Sequence, residues 1–195
     1  QCDGSCNLIG GNAGDGVRTA ALSESGGWTT LHGDGVRIEG NMIGMGPGLA
    51  KIGNGGNGVA VAGGSSDVHV GDGSAVRANV VANNRGAGIL IAPGAELING
   101  PPSYGSGNTA IGNVIFSNGG LAIDLTNSAS VIFGDGENAN DDRDNDSGTN
   151  TALNYPVILG GDIVDDHNTD LTVVWVGDQA AAPRSFQLSF AADEA

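Results

Sequence analysis

The chain has 195 residues, of which 36 are Gly and 19 Asn, with only 4% aromatic and 15% charged residues. Both Gly and Asn tolerate positive φ, so a chain in which they fill 55 of 195 positions turns often and is not a helix bundle, while a 39% hydrophobic content supplies a core and argues against disorder. Seven basic residues against 22 acidic ones give a net charge of −15, which opposes a nucleic-acid partner, and no apolar run approaches the roughly 20 residues that span a bilayer.

The sequence opens at Gln1 without a leader, as a mature or excised chain would, and places its only cysteines at Cys2 and Cys6. Two thiolates cannot complete a zinc site. A small loop disulfide turning at Gly4 suits an oxidising compartment, and a pair of free thiols is the competing reading.

An Asn-x-apolar unit then recurs at Asn7, Asn41, Asn79 and Asn113, at spacings of 34, 38 and 34. A second unit, a small residue followed by alternating apolar residues, recurs at Gly16-Val17, Gly35 to Ile38, Gly58 to Val61, Gly88 to Ile91 and Ala122 to Leu125. Short strands separated by Gly and Asn at variable spacing suit a coil whose equivalent strands stack about 4.8 Å apart. The predicted fold is all-β, a right-handed parallel β-helix solenoid over residues 1–133, with an antiparallel sandwich as the alternative. Val36, Ile38, Val59, Val61, Val68, Val70, Ile89, Ile91 and Ile123 are expected inside the bore. Arg37, Ala60, His69, Leu90 and Asp124 are expected to point outward. Asn41, Asn79 and Asn113 are expected to stack as a ladder, with αL geometry available to them.

From residue 134 the texture changes. Residues 134–161 read as an acidic loop and a closing segment of the helix, ending in the run Pro156 to Leu159. Residues 162–195 read as a C-terminal β-hairpin or the start of a β-sandwich. Its strands are expected at Leu171 to Val176 and Phe186 to Phe190, after an acidic stretch from Asp162 to Asp170. This segment is the expected cover for the open end of the stack.

The stretch Asn140-Asp141-Asp142-Arg143-Asp144-Asn145-Asp146-Ser147-Gly148-Thr149-Asn150, followed by Leu153 to Ile158, resembles the acidic segment that ends the helix in right-handed parallel β-helix repeat proteins of the pectate-lyase-like superfamily. Asn118 to Leu125 is similar to their last rung. The resemblance covers residues 6–160 and implies a bacterial secreted or cell-surface protein, part of a larger chain.

Asp142, Asp144 and Asp146 alternate ahead of Gly148, and with Asn140 they form a candidate Ca²⁺ loop, since Ca²⁺ takes six to eight oxygen ligands. It is not an EF-hand: Leu153 stands where a bidentate Glu belongs. Residues 135–178 carry 11 of the 22 acids and one base, Arg143, so a cation would relieve their repulsion. The competing reading is a solvated acidic loop. No catalytic set stands out: Lys51 is the only lysine, Arg37, Arg77 and Arg85 read as surface charges, and His32, His69 and His167 lack ligand spacing. The expected function is a structural, adhesive or glycan-binding module outside the cell, with a glycan or a surface protein as partner. A fragment of a lyase or hydrolase acting on acidic polysaccharide is the alternative.

Overall fold

A computed structural model describes residues 6–19, 33–94, 103–128, 133–140 and 147–152 with their side chains, and the backbone of 21–22, 30–31, 157–165 and 168–174. The chain divides into two compact units, one of Gln1–Ala139 with Asp146–Leu153 and one of Asn140–Asn145 with Asn154–Ala195.

Among its described residues the first unit holds thirteen short strands: β1 (Leu8–Ile9), β2 (Val17–Arg18), β3 (Ala21–Leu22), β4 (Thr30–Leu31), β5 (Arg37–Ile38), β6 (Met42–Ile43), β7 (Val59–Val61), β8 (His69–Val70), β9 (Val80–Ala82), β10 (Ile89–Ile91), β11 (Thr109–Ala110), β12 (Val114–Phe116) and β13 (Ile123–Leu125). Apart from the antiparallel pair β3 and β4, they form three sheets, ordered β1-β6-β9-β12, β2-β7-β10-β13 and β5-β8-β11. Every pairing within these three sheets is parallel. The chain visits the first, second and third sheet in turn, each layer stacked on the one before. This all-β arrangement of stacked parallel strands is compatible with a β-helix and excludes the antiparallel sandwich for these strands. The helical content of the described residues is two 3-10 segments, Pro47–Leu49 and Thr149–Ala152.

In-register stacking builds the core. Val17, Val59, Ile89 and Ile123 stand in one column, and Ile38 is paired with Val70. Ile38, Ile43, Val59, Val61, Val68, Val70, Val81, Ile89 and Ile91 form one buried cluster, each such side chain contributing about 1.5–3 kcal/mol by leaving water. Around it pack the half-buried Ile9, Val17, Val36, Ala110, Ile115 and Leu125. These belong to the first and last of the described layers, which have a described neighbouring strand on one side only.

Three sequence expectations need correction here. Ile123 is not inside the core: it is 39% exposed, because no described strand stacks beyond β13. The run Gly35 to Ile38 does not join the second sheet with the other small-then-apolar units but opens the third, paired with β8. Ala60, Leu90 and Asp124, expected on the solvent side, are buried at 0%, 2% and 3% exposure, so the outer face of the second sheet is covered from β7 to β13. Arg37 is exposed and His69 half-buried, the latter with Nδ1 2.9 Å from Thr109 Oγ1.

Asparagines hold the layers together along the first sheet. Asn7 Nδ2 donates to Asn41 Oδ1 (2.8 Å), Asn41 Nδ2 to Asn79 Oδ1 (3.0 Å) and Asn79 Nδ2 to Asn113 Oδ1 (2.9 Å). A second ladder at the other end of the same strands runs from Asn12 to Asn54 (2.8 Å), Asn84 (2.7 Å) and Asn118 (2.9 Å). These residues do not use αL geometry; among the described asparagines Asn83 and Asn150 do. Their amides satisfy buried backbone groups instead, as where Asn79 Nδ2 donates to the Ile38 carbonyl at 2.7 Å. Gly44 shows how tight the spacing is: its φ is 86°, and a Cβ there would collide with the Ala82 carbonyl oxygen.

In the second unit, β14 (Val157–Asp165) pairs antiparallel with β15 (Asn168–Val174). The strand expected from Leu171 to Val176 therefore starts earlier, and its described partner is β14. The acidic stretch Asp162 to Asp170, expected to precede the strands, contributes to both of them, with Asp162 opposite Asp170 and Asp165 opposite Asn168. Period-2 alternation is weak there, so the strand was hidden among its aspartates. Residues 186–190 lie outside the described residues.

Candidate functional site

The site forms at the last layer of the first unit. Asp124 is the middle residue of β13, in register with Leu90 of β10. After β13 the chain returns over it with the turn Gly134-Asp135-Gly136, in which both glycines have positive φ (91° and 88°). A Cβ at Gly134 would collide with Asp124 Oδ2, so glycine is needed for this close approach. Oδ2 accepts the Gly136 backbone N–H at 3.2 Å. Oδ1 is buried and has no hydrogen-bond partner.

Such an oxygen is costly, because a buried acceptor without a donor forfeits its hydration, a loss of about 1–3 kcal/mol. Burial away from water pushes the Asp124 carboxyl above the ordinary aspartate value; the Gly136 N–H opposes this, and the negative charge of Asp135 adds to the rise. Asp135 is itself held by Thr126, whose hydroxyl donates to Oδ2 at 3.0 Å, and Thr149 Oγ1 donates to the Thr126 carbonyl at 3.0 Å. Asn138 Nδ2 donates to the Leu125 carbonyl. The turn over Asp124 is therefore tied down on both sides.

An open cleft of about 450 Å³ lies beside Asp124. Arg85, Phe133, Leu121 and the backbone of Gly86, Gly119 and Gly120 complete its lining. The Arg85 guanidinium stands over the Phe133 ring, 5.2 Å from its centroid, in a cation–π contact. Arg18, Arg37 and Arg77 instead form ion pairs, with Asp15, with Glu39, and with Glu39 and Asp72 respectively. All three arginines read as surface charges are exposed, and Arg85 also borders the cleft. Asp72, at the surface, has its carboxyl lowered by the Ser74 hydroxyl and backbone N–H, with Arg77 and Arg37 adding to the effect.

Sequence reading missed this site. Asp124 was assigned to the solvent side by strand alternation, and it ends the column Arg18, Ala60, Leu90, Asp124, in which two small or apolar residues lie between charges. Phe133, Gly134 and Gly136 lie at the edge of the acidic segment, where no periodicity marks them.

The residues expected to bind metal are not brought together by anything described: Asn140 is half-buried, and Asp142, Asp144 and Asp146 lie outside the described residues. Among the described residues no group of three or more His, Cys, Asp or Glu gathers around a point that could hold a metal. Cys6 is disulfide-bonded, and Cys2 lies outside the described residues. His32 and His167 also lie outside them. Among the described residues no helix is long and apolar enough to cross a membrane. No family model matches the chain, nor does any curated protein or solved structure.

Proposed function

We propose that the stacked sheets are a right-handed parallel β-helix of an extracellular or cell-surface protein, similar to the pectate-lyase-like superfamily, and that the module binds a glycan in the cleft at Asp124. One observation carries this reading: Asp124, a largely buried carboxyl, lines a cleft that also presents the aromatic ring of Phe133. Sugars match that pairing, since their hydroxyl groups satisfy a carboxyl while their C–H faces pack on aromatic and aliphatic walls. The rigid stack supplies the fixed geometry that a shallow site needs, because ladder and core bonds rather than the ligand hold β13 in place.

Binding is favoured over cleavage because glycoside hydrolysis uses two carboxyl groups flanking the bond, and Asp124 is the one carboxyl among the described residues that line the cleft. A structural or adhesive role follows from the same scaffold. The acidic segment with Asn140, Asp142, Asp144 and Asp146 is proposed to bind Ca²⁺, on the strength of its alternating oxygen donors and its density of negative charge.

A glycan array probed with Ca²⁺ present, followed by product analysis on every hit, tests the reading. The expected result is retention of a glycan without new chain ends. An array on which nothing is retained contradicts it, and cleavage products would establish the lyase or hydrolase alternative.

A further inference from the structure

We infer that the stack is continued by a second copy of this chain, docked head to tail so that β1 of one copy pairs in parallel with β12 of the other. Each of these strands has a described neighbour on one side only, and their open edges are complementary in bonding direction. Within the stack a ladder asparagine offers its backbone N–H and its Nδ2 to the Oδ1 of the asparagine in the next layer, as Asn79 does to Asn113 and Asn84 to Asn118. The series ends with donors: among the described residues the backbone N–H groups of Asn113 and Asn118 meet no acceptor, while their Nδ2 groups reach back to the Val70 and Val81 carbonyls. It begins with acceptors, since no described donor reaches Oδ1 of Asn7 or Asn12. The main chain follows the same rule. Met42 N–H donates to the Asn7 carbonyl, Val80 N–H to Asn41 and Val114 N–H to Asn79, so the Asn113 carbonyl and the Leu8 N–H of a second copy are the next pair in the series.

Register and side chains agree with that pairing. Asn7 and Asn12 are five residues apart, the spacing by which Asn79 and Asn84 already meet Asn113 and Asn118. The core columns Ile9-Ile43-Val81-Ile115 and Val17-Val59-Ile89-Ile123 are apolar from end to end, and their end members are the ones left partly in water. Leu8 and Val114, which end the neighbouring column, are 44% and 51% exposed. The column Arg18-Ala60-Leu90-Asp124 opens with a cation and closes with a carboxyl, so its continuation brings unlike groups together. Asn138 already donates to the Leu125 carbonyl; the open part of the last described layer therefore runs from β12 to Ile123. Such a contact joins two different surfaces and extends into a row of copies.

Sedimentation velocity of the full chain over about a thousandfold range of concentration tests the inference. The mean mass is expected to rise with concentration, and more steeply with added salt, which screens the −15 charge of each copy. Leu8→Pro removes an N–H from the open edge of β1, where proline is tolerated, and Ile123→Lys places a charge where the next layer would cover it. Each variant alone is expected to stay monomeric, and an equimolar mixture to form dimers and nothing larger, because one keeps its last layer open and the other its first. A native chain that is monomeric throughout, association that survives in either variant alone, or a mixture of the two folded variants that stays monomeric overturns the inference. A measurement on the native chain stands apart from the variants: hydrogen exchange at the Leu8 and Asn113 amides is expected to slow as concentration rises, and rates that do not change while the mass grows place the contact elsewhere and overturn it.

Discussion

Position in the stack decides what a residue is worth. Ile89 and Ile123 are paired in the same column, yet Ile89 is fully buried between two layers and Ile123 is 39% exposed at the end. Ile89→Ala is expected to cost about 2–5 kcal/mol, the sum of lost burial and the cavity left behind. Ile123→Ala is expected to cost less than about 1.5 kcal/mol, since most of its surface already faces water. Chemical denaturation of the two variants checks the contrast, and equal losses would show that the layer order is wrong. Asp124 gives a second expectation. Its folded-state pKa is raised, so its contribution to stability is fully present below the ordinary aspartate value of 3.8 and is lost as pH rises through the folded value. Asp124→Asn is therefore expected to match the native chain in acid and to exceed it in stability at neutral pH. Urea unfolding at both ends of that range measures the difference, and a native chain more stable than the variant at neutral pH would mean that Asp124 folds as an ionised, well-solvated group.

The strands are two or three residues long, too short to fix their own register, and the asparagine ladders supply it between them. Asn79 stands in the middle: it accepts from the backbone N–H and the side chain of Asn41, and donates to Asn113 and to the Ile38 carbonyl. Removing it in Asn79→Ala strands buried donors and acceptors in two layers, at an expected cost of about 1–3 kcal/mol or more. Asn7→Ala, at the exposed end of the ladder, is expected to cost less than about 1 kcal/mol. Thermal melts of both variants test this, and a small loss at Asn79 would remove the ladder from the account. The first ladder was legible in the sequence because Asn7, Asn41, Asn79 and Asn113 keep a nearly constant spacing. The second was obscured at one point. Its members follow the first by five residues in three layers, as 12 − 7, 84 − 79 and 118 − 113 show, but by thirteen in the other, 54 − 41. The segment carrying Pro47–Leu49 is inserted there. Parallel stacking and the core residues were thus readable from periodicity. The covered outer face and the turn over Asp124 were not, because both depend on chain segments distant in sequence that carry no repeat.

At the scale of the molecule, the chain combines a stack with an apolar core with acidic charge concentrated after it, 13 of the 22 acids following residue 133. If the proposed Ca²⁺ loop binds only the folded form, saturating it a hundredfold above Kd adds about 2.7 kcal/mol. Ca²⁺ is then expected to raise the melting temperature, chelation to lower it and Asp144→Asn to blunt the response, with Mg²⁺ a poor substitute because it demands a tighter octahedral shell. A melting temperature indifferent to millimolar-scale Ca²⁺ would leave a solvated acidic segment. The cleft is the part of the molecule on which function turns, and amide chemical-shift mapping locates a ligand without assuming one. In a ¹⁵N-labelled full chain titrated with a glycan retained on the array, the account predicts the largest shifts at Arg85, Gly120, Asp124, Phe133 and Gly136, all abolished by Asp124→Ala. Shifts centred away from these residues, or unchanged by Asp124→Ala, would contradict it.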